Sequence, residues 1–316
     1  MSIKFKSVVA LAAICVGWLG SAAVWAQAQT KVHWYGQAAF KIETPNGGVM
    51  LIDPWLTVPT NPNKNSIAEL GRVDYILVTH GHRDHMGEAV EIAKKTGAEL
   101  VAPYGLQFNM KTVLGYPEKQ ATGATGGNIG GQINLPKVGA KVTIVNAVHG
   151  SDITTPNIPE PAPGGQSAIH GGNPVGFIIQ IAGGPTVYHT GDTDVYQDMK
   201  LIPEFHSVDL MLACIGGHFT MDPTRAALAV EWGKPKQVMP MHFGTYPLLA
   251  GTPAQFKEAL DRRGPFAGNH QHPGPAMVDF RSRRPAFNLP QQGPGVAEAA
   301  LTGEPNGVDK NLGDIQ

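Results

Sequence analysis

From residue 31 the chain alternates apolar and polar positions in short runs, at 32–35 (VHWY), 39–43 (AFKIE) and 49–52 (VMLI). A two-residue period puts successive side chains on opposite faces, so each run predicts a strand. Pro45, Asn46, Gly47 and Gly48 between the second and third runs are turn residues, and the three strands are expected to form an antiparallel meander. Residues 74–79 (DYILVT) are continuously apolar in the middle, the mark of a strand covered on both faces. An amphipathic helix is predicted over about 86–95 and a strand over 99–102. Strand, helix, strand predicts a layered α/β arrangement.

Beyond a Gly-rich stretch around 123–131 the same order returns. Strands are predicted at 141–148, 176–181, 186–189, 209–214 and 237–240. Helices are predicted at 222–232, begun by Asp222 and Pro223, and at 253–263, capped by Thr252 and stopped by Gly264. Two strand-rich halves with helices behind them predict an α/β fold, a four-layer αββα sandwich, over residues 31–280. Two Pro/Gly-rich segments break the pattern. A loop as long as 150–173 inside a compact domain is expected to be either a functional lid or disordered, and 281–316 reads as a C-terminal tail.

Composition narrows the partners. Only 16% of residues are charged, and 24 Lys and Arg nearly balance 25 Asp and Glu in 316 residues. No basic footprint for nucleic acid or an anionic surface is present, which favours a small-molecule substrate. Oligomeric state leaves no mark in the sequence. Residues 1–26 read as a signal peptide, with Lys4 and Lys6 as a basic start, an apolar run over 8–19, and small residues over 21–28 that allow cleavage after Ala26 or Ala28. The run is shorter than the roughly 20 residues that span a bilayer, so no stable membrane anchor is expected and the mature protein is expected to be periplasmic or secreted. Cys15 falls inside that segment, leaving Cys214 without an intramolecular disulfide partner.

The chemistry is concentrated in Thr79-His80-Gly81-His82-Arg83-Asp84-His85, directly after the buried strand. Three imidazoles and a carboxylate within six residues have few structural uses. His80 and His82, two apart in a turn, can face one ion, and Asp84 and His85, at a helix start, can face another. Imidazole with carboxylate suits zinc, iron or manganese. Further donors are expected at strand ends on the same rim, and His149, Asp192 and His242 each follow a predicted strand.

With those seven positions in place, the sequence resembles the metallo-β-lactamase superfamily, whose HxHxDH motif matches His80, His82, Asp84 and His85. The resemblance runs over about 32–279. It implies that His80, His82 and His149 hold one metal and Asp84, His85 and His242 the other, with Asp192 bridging. The implied cofactor is two divalent ions, zinc first, with manganese, iron or nickel as alternatives. Thr190-Gly191-Asp192-Thr193 looks like the bridging-aspartate type, unlike true β-lactamases, and His82 stands where diiron oxygen-reducing relatives place a glutamate. Trp34-Tyr35-Gly36, Leu51-Ile52-Asp53-Pro54-Trp55 and Gly216-Gly217-His218-Phe219-Thr220-Met221 resemble the branch related to L-ascorbate-6-phosphate lactonase and, more distantly, N-acyl phosphatidylethanolamine phospholipase D. The chain departs from that branch at Gly36-Gln37-Ala38, where Gly-His-Ser is usual.

The expected activity is therefore hydrolysis of an ester-like bond, in a lactone or carboxylic ester, by metal-bound hydroxide. A phosphodiesterase using the same site is the alternative, and a non-catalytic metal-binding protein of the envelope is a third reading. Asp84 and Asp192 are expected to act in the reaction as well as at the metals. His218 and Tyr196 are candidate donors to a developing oxyanion. Asp53 is a candidate hydrogen-bond partner for a ligating histidine. His33, His170, His189, His206, His270 and His272 read as ordinary surface or core residues.

Overall fold

The computed structural model describes residues 29–154, 168–264 and 299–301. The expected signal peptide, the centre of the expected lid and most of the expected tail lie outside the described residues. The first half carries β1 (Thr30–Gly36), β2 (Ala39–Glu43), β3 (Val49–Ile52), α1 (Ser66–Glu69), β4 (Tyr75–Leu77), α2 (Arg83–Met86), α3 (Ala89–Thr96), β5 (Glu99–Pro103), α4 (Tyr104–Thr112), β6 (Gly126–Gly127) and β7 (Gln132–Leu135). There follow β8 (Ala140–Asn146), β9 (Asp152–Thr154), β10 (Ala168–His170), β11 (Val175–Ile181), β12 (Thr186–His189), α5 (Ile202–Phe205), β13 (Leu210–Cys214), α6 (Pro223–Gly233), β14 (Gln237–Met241), α7 (Pro253–Arg263) and β15 (Ala299–Leu301).

Two large sheets result, ordered β15-β1-β2-β3-β4-β5-β6 and β14-β13-β12-β11-β8-β7, beside the small pair β10-β9. The meander β1-β2-β3 is antiparallel as expected, and the first sheet turns parallel from β3 to β6. Period-two alternation explains how its strands are covered on both faces. Trp34, Phe40, Met50, Ile52 and Leu77 enter one core with Ile144, Phe177, Val187 and Leu212 of the second sheet. Their sequence neighbours Tyr35, Ala39, Leu51, Ile76 and Val78 enter a second core with Ile92 of α3 and Leu106 and Met110 of α4. Behind the other sheet, Ala226 and Val230 of α6 and Phe256 and Leu260 of α7 are buried. This is the α/β sandwich with helices outside.

The details differ from the sequence pattern in four places. One helix was expected over 86–95, but Gly87 (φ +44) divides it into α2 and α3. A Cβ on Gly87 would lie 2.3 Å from the Pro54 carbonyl oxygen, so the backbone passes closer than any side chain permits. Helices α1, α4 and α5 and strands β6 and β7 have no counterpart in the sequence pattern. The arms of the 150–173 segment are strands β9 and β10, paired with each other, and Ser151 Oγ accepts from the Gly81 amide at 3.1 Å. Within the segment read as a tail, β15 pairs antiparallel with β1. At α7 the expected cap is present in full, with Thr252 and Gln255 exchanging side-chain to backbone bonds.

The fold brings one rim together. Gln37 follows β1, Asp53 follows β3, His80 comes just beyond β4, His149 beyond β8, Asp192 beyond β12 and His242 directly after β14. Backbone bonds stitch the two sheets there: Val175 N to Thr79 O at 3.1 Å and His242 N to Gln37 O at 2.9 Å. The buried His189 ring, 3.0 Å from the Ala38 carbonyl, adds a third link.

Candidate metal centre

The motif after β4 forms its site because Asp53 organises it. Asp53 is fully buried in the left-handed region (φ +44). Its Oδ1 accepts from Thr79 N at 2.8 Å, and its Oδ2 accepts from Thr79 Oγ1 and from His85 Nδ1, each at 2.7 Å. The Thr79 hydroxyl thereby commits its one hydrogen to Asp53. Its oxygen, 3.0 Å from His80 Nδ1, is left to accept from that ring. Both imidazoles are fixed with Nδ1 occupied and Nε2 turned inward.

What those nitrogens face defines two donor groups. His80 Nε2 lies 3.0 Å from His82 Nδ1, and His149 Nε2 lies 3.2 Å from that same Nδ1. On the other side Asp84 Oδ2 is 3.4 Å from His242 Nε2 and 3.7 Å from His85 Nε2. Within each set, one donor atom per residue lies within 4.8 Å of the others: His80, His82 and His149; His80, His85 and Asp192; Asp84, His85 and His242. Asp192 sits between, its Oδ2 being 2.9 Å from His242 Nε2, 3.2 Å from His85 Nε2 and 3.6 Å from His149 Nε2. Gly191 (φ +62) makes this approach possible, since a Cβ there would meet the Val175 carbonyl oxygen at 2.4 Å.

The electrostatics separate the two groups. Burial holds His80, His82 and His149 below the ordinary imidazole range, with the neighbouring His85 adding to the effect on His80 and His82. These three are neutral, the form that binds metal. Burial also opposes charge on His85 and His242, but the carboxylates of Asp192 and Asp84 outweigh it, raising His85 well above its usual range and His242 to about 9. Asp192 is pushed up by burial and drawn down further by His242 and His85, ending well below the carboxylate range. Asp84 is likewise lowered by His85 and His242 against burial.

The donor set fits a cation. Asp192 Oδ1 is buried with no hydrogen-bond partner, and His85 Nε2 is buried against the Asp192 carboxylate without good hydrogen-bond geometry, whereas buried polar atoms are ordinarily satisfied. Imidazole nitrogens at 3.0 and 3.2 Å from one another are arranged as ligands sharing an ion. The His80, His85, Asp192 and His242 side chains are at most 3% exposed, whereas Asp84 at 21% and His149 at 11% mark the side of the group open to solvent.

All seven metal-ligand candidates therefore come together, with Asp53 behind them as expected. The two oxyanion candidates do not join them. The Tyr196 hydroxyl donates to the Asn146 carbonyl at 2.5 Å, which occupies the hydrogen an oxyanion would need. His218 is exposed, in a left-handed turn (φ +57), with its ring edge-on to Phe219. Among the described residues it makes no hydrogen bond or ion pair with the cluster. Two contributors carry no chemical signal in the sequence. Thr79 was seen only as the start of the motif, and Gln37, whose Nε2 lies 2.9 Å from Asp84 Oδ2 and 2.8 Å from His242 Nε2, only as a departure from a family pattern.

A sandwich of two sheets with histidines and aspartates gathered at one rim is the arrangement of a metal-dependent hydrolase. The beta-lactamase superfamily domain matches residues 49–243. A UPF0173 metal-dependent hydrolase of Thermodesulfovibrio yellowstonii is 51% identical over 232 residues, covering 73% of this chain and 85% of that protein. One from Anaeromyxobacter dehalogenans is 52% identical over 236 residues, covering 74% and 82%. Among solved structures, a metallo hydrolase from the archaeon Ignicoccus hospitalis is 31% identical with a TM-score of 0.63, covering 75% of this chain and 92% of its own. The chain belongs to the metallo-β-lactamase superfamily and, within it, with the metal-dependent hydrolases.

Proposed function

We propose that this protein is an exported hydrolase that holds two divalent metal ions and cleaves a lactone or carboxylic ester. The observation that carries the dinuclear reading is Asp192 Oδ2, which lies within 3.6 Å of imidazoles from both donor groups. His80, His82 and His149 would hold one ion, Asp84, His85 and His242 the other, and Asp192 would be shared. Zinc, manganese, iron or nickel suits these donors. Ions held by these residues would supply Lewis-acid activation of water and of the scissile carbonyl.

The chain's own groups supply the rest. Asp53 and Thr79 fix His85 and His80 so that Nε2 of each faces inward. Before an ion binds, His85 and His242 hold Asp84 ionised against burial, and an ion seated beside it would do the same in their place. Partly exposed, Asp84 is the carboxylate placed to accept a hydrogen bond from the attacking water and orient it. Export rests on Lys4, Lys6 and the apolar run that follows. No helix among the described residues is long and apolar enough to cross a membrane.

A lactone or ester is favoured over a phosphodiester by charge. The cluster is built from imidazoles and carboxylates alone, and the nearest cation in the motif, Arg83, is exposed. The test is a ratio on one metal-replete preparation with matched aryl leaving groups. Elemental analysis should give about two ions per chain, and kcat/KM should be higher for the lactone or ester. A phosphodiester preferred by more than about tenfold, roughly 1.4 kcal/mol, replaces this reading with a phosphodiesterase. Bound metal without turnover of either class leaves a metal-binding protein of the envelope.

A further inference from the structure

Gln37 stands at the centre of the rim without a role in the donor groups described above. It is 1% exposed and lies in the left-handed region (φ +48). Its backbone cannot withdraw, because the carbonyl accepts from His242 N at 2.9 Å and from Trp34 Nε1 at 3.0 Å. The near end of its side-chain amide, Nε2, is 2.8 Å from His242 Nε2 and 2.9 Å from Asp84 Oδ2, and those two atoms are 3.4 Å from each other. The far end, Oε1, is buried with no hydrogen-bond partner.

These three atoms form the triangle expected of ligands around one ion, and two of its corners are donor atoms of the second group. The two ends of a primary amide have the same shape and opposite chemistry: the nitrogen donates, the oxygen accepts. With the nitrogen inward, the amide donates to the Asp84 carboxylate but also faces His242 Nε2 at 2.8 Å, where a protonated imidazole has no lone pair to accept. Beside a cation the same end would direct N–H hydrogens at positive charge. A half-turn of the side chain leaves one buried end unpaired in either orientation, so the balance is decided at the cluster, and there a cation attracts oxygen and repels N–H.

On the dinuclear reading, we propose that Gln37 is a further ligand of the second ion, turning its side-chain oxygen inward to join Asp84, His85 and His242. The oxygen adds a hard donor without adding charge, which suits zinc, manganese or iron.

Cobalt(II) titration of the purified full-length protein tests this through visible absorption and binding isotherms, with no reliance on turnover. Wild type should take up two equivalents. In Gln37→Leu the first should bind as in wild type, while the second should weaken tenfold or more and show the stronger absorption of a lower coordination number. In Gln37→Glu, which keeps an oxygen, the second should bind at least as tightly as in wild type. Two wild-type-like equivalents with an unchanged spectrum in Gln37→Leu would overturn the proposal. So would loss of the second ion in both variants, which would assign Gln37 to donating its N–H to Asp84. If Gln37→Leu does not fold, Gln37→Glu decides alone, since a carboxylate repels Asp84 unless a cation lies between them. A wild type that binds a single equivalent refutes the dinuclear reading itself, before any variant is compared.

Discussion

His85 Nδ1 donates to the Asp53 carboxylate across 2.7 Å, with both side chains fully buried. The same carboxylate takes the Thr79 hydroxyl, which in turn accepts from His80. One aspartate therefore orients an imidazole of each donor group, directly in one case and through a single hydroxyl in the other. Its own left-handed backbone, just before Pro54, is the local strain that purchases this reach.

Asp53→Asn should lower metal affinity by about 10–100-fold, the usual effect of removing a group that orients a ligating histidine. Both ions should weaken, the one on His85 more. Competition with a chromogenic chelator measures this, and an unchanged affinity would show that the aspartate merely packs. Asp53→Ala leaves His85 Nδ1 buried without its acceptor and should cost on the order of 1–3 kcal/mol in metal-free unfolding.

Asp192→Asn should keep the shape of the site and remove the charge shared by its two halves. Turnover should fall by about 100-fold or more, mainly in kcat, as when other site electrostatics are lost. Steady-state kinetics with metal analysis on the same sample decides it. Near wild-type kcat at full metal occupancy would exclude a bridging role.

Metal uptake should release protons from one group only. In the metal-free protein His85 and His242 are raised, so they carry protons at pH 7, whereas His80, His82 and His149 do not. Filling the second group at pH 7 should release about one proton each from His85 and His242, and its affinity should climb as pH rises towards about 9. Calorimetry in buffers of different ionisation enthalpy counts these protons, and a count near zero would contradict the assignment. The sign for metal-free stability is the reverse. His242 contributes fully below the ordinary imidazole pKa of about 6.5, and its contribution fades as pH rises through about 9.

Gly87→Ala should destabilise the fold although the residue is exposed and lies outside the cluster. Its φ of +44 is unfavourable for alanine, and the added methyl would strike the Pro54 carbonyl. A penalty on the order of 1–3 kcal/mol is expected, or a fall of roughly 2–4 °C in Tm per kcal/mol for a domain of this size. An unchanged thermal melt would mean that the α2–α3 break relaxes freely.

The parts of this site that sequence reveals are those whose chemistry is dense over a few residues. His80 to His85 announce themselves because nothing but metal binding needs so many donors in one turn, and His149, Asp192 and His242 follow from their places at strand ends. Thr79 and Gln37 stay hidden because their roles exist only in three dimensions: Gln37 meets a side chain 205 positions away. Tyr196 and His218 lie apart from the cluster's hydrogen bonds for the opposite reason, since position along the chain says nothing about where a hydroxyl or ring points. The α2–α3 break depends on a backbone 33 residues upstream, at Pro54, and α4 begins directly after Pro103 without a strong apolar stripe to mark it.

The sheets are stitched at the rim by Val175 to Thr79 and by His242 to Gln37, with donor side chains contributed from both sides of the seam. Cations seated there would act as clasps across very long loops, joining positions 67 residues apart at His82 and His149. A clasp of that kind engages only after both halves of the chain have folded and met, so it rewards the last step of folding rather than the first. The melting temperature is then set by the surrounding fluid as well as by the polypeptide: free metal at a thousand times the dissociation constant adds about 4 kcal/mol per ion. In a metal-poor environment the same chain would be both inactive and easier to unfold, and so easier for proteases to clear.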